Sequence, residues 1–184
     1  QWDNETACVE IWQRRLLNSM AKVKQLESDT DVFTLNEVDF ISRKLKQFSQ
    51  VVNRNMCDTS FEVDRLFYMF DEEQKPELWL RLKSGQEIKF DGLPAGYKRL
   101  YSIVLDLAYR AYLLNRQTDV EPTGLAMIDE IDLHLHPSLE TEVVERFTRT
   151  FPKLQFIMTS HSPLVVSNLS SNDQRNKVFR LVAG

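Results

Sequence analysis

Between Ala126 and Pro137 the chain reads AMIDEIDLHLHP, a run dense in groups that bind metals or move protons. Asp129 and Glu130 form an adjacent carboxylate pair, and Asp132, His134 and His136 follow at alternate positions. Two chemistries use such residues. A metal-dependent hydrolase takes a His-x-His pair as ligands. A nucleotide hydrolase ends an apolar strand in a carboxylate pair: one member acts on Mg2+ through its water shell, and the other orients or deprotonates an attacking water. Further on, FIMTSHSP ends a second apolar run in Thr159, Ser160 and His161.

The elements that must position these groups follow from periodicity. GLAMI and LQFIM are short, continuous apolar runs of the kind found in buried parallel strands. Between them PSLETEVVERFTRTF has amphipathic helical spacing, with Pro137 and acidic residues at its start. Strand, helix and strand predict a right-handed βαβ crossover. Ligands in such α/β sheets collect beyond the carboxyl ends of the strands, where Asp129, Glu130, Thr159, Ser160 and His161 fall. His161 also reads as a hydrogen-bonded residue ahead of an N-capping Ser162 and Pro163.

Upstream, Val9, Trp12, Leu16, Met20 and Val23 recur at helical steps, which predicts a helix ending near Leu26. Thr34 and Glu37 have capping-box spacing, and Val38, Ile41, Leu45, Phe48 and Val52 form a heptad seam. Residues 1–58 are therefore expected to be a helical hairpin or short coiled-coil insertion, with two ordinary domain helices as the alternative. FEVDRLFYMF, ELWLRL and EIKF, with Gly85 in a turn, predict a small antiparallel β segment. From Tyr97 to Arg116 a long helix is expected to bury Leu100, Ile103, Val104, Leu107, Ala108, Ala111 and Leu114. KVFRLVA predicts a last strand.

Composition narrows the classes. The 184 residues are 42% hydrophobic with a net charge of -4, enough for a core and without the global basic character of a nucleic-acid binder, although a local basic patch stays open. Cys8 and Cys57 have no CxxC spacing, which excludes a cysteine zinc site and suits a reducing cytoplasm. No apolar run approaches the roughly 18 residues of a membrane span.

GLAMIDEIDLHLHPSLE followed by FPKLQFIMTSHSPLVV resembles the Walker B, D-loop and switch-histidine region of ABC-type, AAA-like ATPases, the group found in OLD-type, Septu and retron-associated prokaryotic defence systems. LPAGYKRL resembles the signature loop and the helix after it. The resemblance implies an α/β P-loop NTPase fold, with residues 59–184 as the C-terminal lobe. It makes Asp129 the Mg2+ aspartate, Glu130 the catalytic base and His161 the switch histidine near the γ-phosphate of ATP. It places Asp132, His134 and His136 in a D-loop at a dimer interface, and Leu93, Pro94, Ala95, Gly96, Tyr97 and Lys98 against ATP bound on a second subunit. A glycine-opened helix N-terminus suits that anion, and Lys98 and Arg99 would add positive charge.

Two departures qualify the pattern. Pro94 and Ala95 stand where the commoner signature has a serine hydroxyl, and no GxxxxGK[ST] P-loop occurs among these residues. With no initiator Met, the chain is expected to be the C-terminal half of an ATPase head. Expected partners are a second copy, a nuclease or other defence effector, and DNA, with no membrane. A non-hydrolysing scaffold remains an alternative. The His-x-His hydrolase is remote, because only one histidine exists beyond the pair, and TSHSP lacks the GxSxG elbow of a serine hydrolase.

Overall fold

The computed structural model describes residues 14–20, 32–51, 59–115, 121–169 and 176–181. Cys8, Cys57 and the ends of the first expected helix lie outside them.

Helix α1 covers residues 14–20 and buries Leu16, Leu17 and Met20, spaced to share one face. The Arg15 guanidinium lies 5.4 Å from the Tyr109 ring centre. Helix α2, Val32–Ser49, buries Phe40, Ile41, Leu45 and Phe48. The side chain of Thr34, the expected capping-box residue, lies outside the described ones. The buried face of α2 also holds Lys44, whose ammonium donates to the Glu121 carboxylate at 2.7 Å and to the Thr150 carbonyl at 2.7 Å. Phe48 packs against Phe147 with ring centres 4.7 Å apart and planes tilted by 57°, so α2 shares one hydrophobic cluster with the rest of the body.

Strands β1 (Val63–Phe70), β2 (Pro76–Leu82) and β3 (Glu87–Lys89) form the expected antiparallel sheet in that order. Gly85, at φ +89, makes the turn that a side chain would strain. A single 3-10 turn, Phe90–Gly92, leads into α3, Ala95–Asn115. Of the expected face, Leu100, Val104, Ala108 and Ala111 are buried, Ile103 and Leu107 are half-buried, and Leu114 is 85% exposed. The wall of the core is instead completed by Tyr97, Tyr101, Tyr109 and Tyr112, whose rings are apolar although their hydroxyls are not.

Strands β4 (Gly124–Ile128) and β5 (Leu154–Met158) pair in parallel, Gly124 opposite Leu154 and Ile128 opposite Met158. The expected single crossover helix is two: α4, Pro137–Glu140, and α5, Val143–Thr150. The break coincides with Glu142, which turns inward and accepts a hydrogen bond from the buried Arg146 at 3.1 Å. A short helix α6, Pro163–Ser167, follows β5. The face of the parallel pair carrying Leu125, Met127 and Ile157 is open, with Met127 74% exposed. Residues 176–181 form no strand, and Phe179 is 82% exposed. Apolar alternation marks a sequence fit for a strand, but a strand exists only where a neighbour takes its backbone hydrogen bonds.

Candidate active site at two adjoining strand ends

The parallel register sets the site. Since Ile128 lies opposite Met158, the next residues, Asp129 and Thr159, leave the sheet side by side. The ladder closes with the Thr159 N–H donating to the Ile128 carbonyl at 3.0 Å and the Ile131 N–H donating to the Thr159 carbonyl at 2.9 Å. The Thr159 hydroxyl then joins the two acidic residues: it donates to Asp129 Oδ1 and accepts from the Glu130 N–H at 2.8 Å. Glu130 sits at φ +48, in the left-handed region that few residues with a side chain occupy.

Glu130 Oε1 lies 4.0 Å from His161 Nε2. Their side chains are 49% and 86% exposed, so the pair stands at the mouth of an open site. The Asp132 carboxylate accepts from the His161 N–H at 3.2 and 3.3 Å and so holds the loop that carries the imidazole. Partial desolvation pushes the Asp132 pKa up. That effect is outweighed by the hydrogen bond from Ser160, by the backbone N–H groups of Asp132 and His161, and by the His161 charge, leaving the carboxyl below its ordinary value. Ser162 caps α6 as expected, accepting from the Leu164 N–H at 3.1 Å, and its hydroxyl also donates to Glu140.

The 93–98 segment packs against this cluster from α3. Leu93, Gly96 and Tyr97 are buried, and only Pro94 and Ala95 are fully outward. A Cβ on Gly96 would stand 2.7 Å from the His134 carbonyl oxygen, so glycine is required by close approach of two backbones. Neither expected cation is free-standing: Lys98 pairs with Asp91 at 2.7 Å, and Arg99 donates to the carbonyls of Asp129 at 3.0 Å and Ile131 at 3.3 Å.

His136 Nδ1 accepts from the Ser138 N–H at 3.3 Å, capping α4, and lies 2.9 Å from the Ser138 hydroxyl. His134 occupies a left-handed position at φ +63. Among the described residues no three His, Cys, Asp or Glu side chains gather to hold a metal. Asp129, beside Glu130, presents an exposed carboxylate at the open strand end, which suits Mg2+ bound through one protein carboxylate, waters and phosphate oxygens. Residue spacing placed Thr159 at a strand end and Arg99 beside the 93–98 segment, but did not reveal the hydrogen bonds that they make. The Thr159 bonds follow from carrying the strand register one residue further, whereas no local pattern points Arg99 at the loop carbonyls.

Residues 9–167 match the family model described as "AAA domain, putative AbiEii toxin, Type IV TA system". "Retron Vc95 probable ATPase" of Vibrio cholerae serotype O1 biovar El Tor is 41% identical over 92 residues, 49% of this chain and 18% of that protein. "Septu protein PtuA" of Bacillus mycoides (strain KBAB4) is 38% identical over 81 residues, 44% of this chain and 11% of that protein. The chain thus matches less than a fifth of the length of either relative. A solved Smc head bound to the C-winged helix domain of ScpA superposes with a TM-score of 0.52 at 14% identity, covering 90% of this chain and 50% of that one. The shared fold is that of an ABC-type ATPase head. Among the described residues no helix is long and apolar enough to cross a membrane.

Proposed function

The chain belongs to this AAA-domain family, and we propose that it is the lobe of a Mg2+-dependent, dimerising ABC-type ATPase that supplies signature, Walker B, D-loop and switch histidine. The single observation that carries this reading is the meeting of Asp129, Glu130 and His161 at two adjoining parallel strand ends, with Glu130 Oε1 4.0 Å from His161 Nε2. Asp129 would hold Mg2+ through its free carboxylate oxygen, and the ion would neutralise phosphate charge. Glu130, exposed and fixed at its backbone by Thr159, orients a water and accepts its proton. His161 hydrogen-bonds the terminal phosphate, its loop held by Asp132.

A P-loop half must complete the nucleotide site, and the open apolar face of β4 and β5 supports a further layer there, because parallel sheets are covered on both sides. Residues 59–184 form the lobe, with residues 1–58 as the helical element leading into it. Pro94 and Ala95, the outward part of the signature, would face ATP held by a second protomer, with Asp132, His134 and His136 near that interface. The biological setting is cytoplasmic antiphage defence, in which the ATPase controls a nuclease or acts on DNA. The relatives' retron and Septu names support that setting.

In the full-length protein, Glu130→Gln is expected to keep ATP binding and to lower turnover by roughly 10²- to 10⁴-fold, the usual worth of a general base. Unchanged turnover overturns the mechanism. The second reading, a lobe that binds ATP and an effector without hydrolysis, draws on the absent serine hydroxyl at Pro94. It predicts a wild type that binds ATP and does not turn it over.

A further inference from the structure

The backbone of the Asp129–Leu135 loop is held from a direction that the strand pairing does not explain. Pairing of β4 ends at Ile128, so the carbonyls of Asp129 and Ile131 have left the ladder. The Arg99 guanidinium, from the first turns of α3, donates to both, at 3.0 and 3.3 Å. Those two carbonyls bracket Glu130, the residue at φ +48. One turn earlier on α3, Gly96 meets the carbonyl of His134, the other left-handed residue of this loop. Both unusual backbone positions therefore lie against the start of a single helix, one hydrogen-bonded on either side by Arg99 and the other in close approach to Gly96.

We propose that Arg99 is the positioning residue for Glu130: its planar guanidinium holds the carbonyls on either side and keeps the base in its left-handed conformation. Gly96 lets α3 come close enough for that reach. A forked donor can hold two acceptors at once, which the single ammonium of lysine does poorly. Since Arg99 directly follows the 93–98 segment, a displacement of that segment is transmitted through two hydrogen bonds to the backbone of Glu130. This role rests on the ATPase reading above.

The test uses the full-length protein, with steady-state ATP turnover and titration of a fluorescent ATP analogue. Arg99→Ala is expected to lower kcat by about 10- to 100-fold, the usual effect of losing a group that orients a reacting one, with analogue affinity unchanged. Arg99→Lys, which keeps the charge and guards against simple misfolding, is expected to lose turnover as well. Millimolar guanidinium should return part of the activity to Arg99→Ala and none to Glu130→Gln. Combined with Glu130→Gln, Arg99→Ala should leave the residual rate where Glu130→Gln alone puts it, because residues acting through one group are not additive.

Wild-type turnover in Arg99→Ala, or a further full-sized loss in the double variant, overturns the role of Arg99 alone. Equal turnover in wild type and Glu130→Gln overturns the ATPase reading beneath it, so the two failures are told apart.

Discussion

The His134 carbonyl oxygen lies 2.7 Å from the position of a Cβ on Gly96, closer than real Cβ atoms approach a backbone oxygen. Two opposing effects meet at this position. Alanine is the better helix former, by up to about 1 kcal/mol, while forcing a methyl group into a packed contact costs about 1–3 kcal/mol. The obstacle is backbone, with Leu135 also within 3.4 Å, so overpacking wins. Gly96→Ala is expected to lower unfolding free energy in urea titrations and to cut ATP turnover. A stabilised, fully active variant would contradict the close approach.

Thr159 joins Asp129 and Glu130 through one hydroxyl, and Thr159→Val removes that hydroxyl at nearly constant volume. With Asp129 holding Mg2+ as proposed, loss of the group that orients its carboxylate is expected to raise the Mg2+ concentration for half-maximal turnover by about 10- to 100-fold. Stability should change little, by about 0.5–1.5 kcal/mol, because the site is solvent-exposed. A Mg2+ titration of turnover beside a thermal melt separates the two effects.

Asp132 gives a pH dependence with a defined sign. Its carboxyl lies below the ordinary value of 3.8 in the folded chain, so its contribution to folding is complete above the unfolded value and is lost as pH falls through the folded one. The His161 backbone amide resonance is therefore expected to titrate in acid with a midpoint under 3.8 and to lose that titration in Asp132→Asn. A midpoint above 3.8 would mean that desolvation, and not the Ser160 and His161 hydrogen bonds, dominates.

Phe48 reports whether the second helix belongs to the body. It is fully buried, with the Phe147 ring centre 4.7 Å away and the Tyr101 ring centre 6.3 Å away. Phe48→Ala is expected to cost about 3–5 kcal/mol in a single cooperative denaturation. A small loss, or a separate early transition, would favour a helical hairpin or coiled-coil insertion over two ordinary domain helices.

Local patterns made much of the fold legible. Continuous apolar runs located β4 and β5, alternation with Gly85 located the antiparallel sheet, and the long periodic stretch located α3, because each pattern expresses the period of a single element. The same reasoning misplaced what depends on partners. Leu114 is not core, the crossover helix breaks at Glu142, and residues 177–181 pair with no strand among the described residues.

The candidate site divides along the same line. Sequence alone determined which residues stand at the two strand ends, since Asp129, Glu130 and His161 follow directly from where apolar runs stop. Only the tertiary structure decided how they are held. The parallel register brings Thr159 between the two acids, Asp132 to the His161 loop, and Arg99 to the carbonyls around Glu130. Those contacts join residues about thirty positions apart, and no local period encodes them, because hydrogen-bond geometry across elements exists only once the chain has packed.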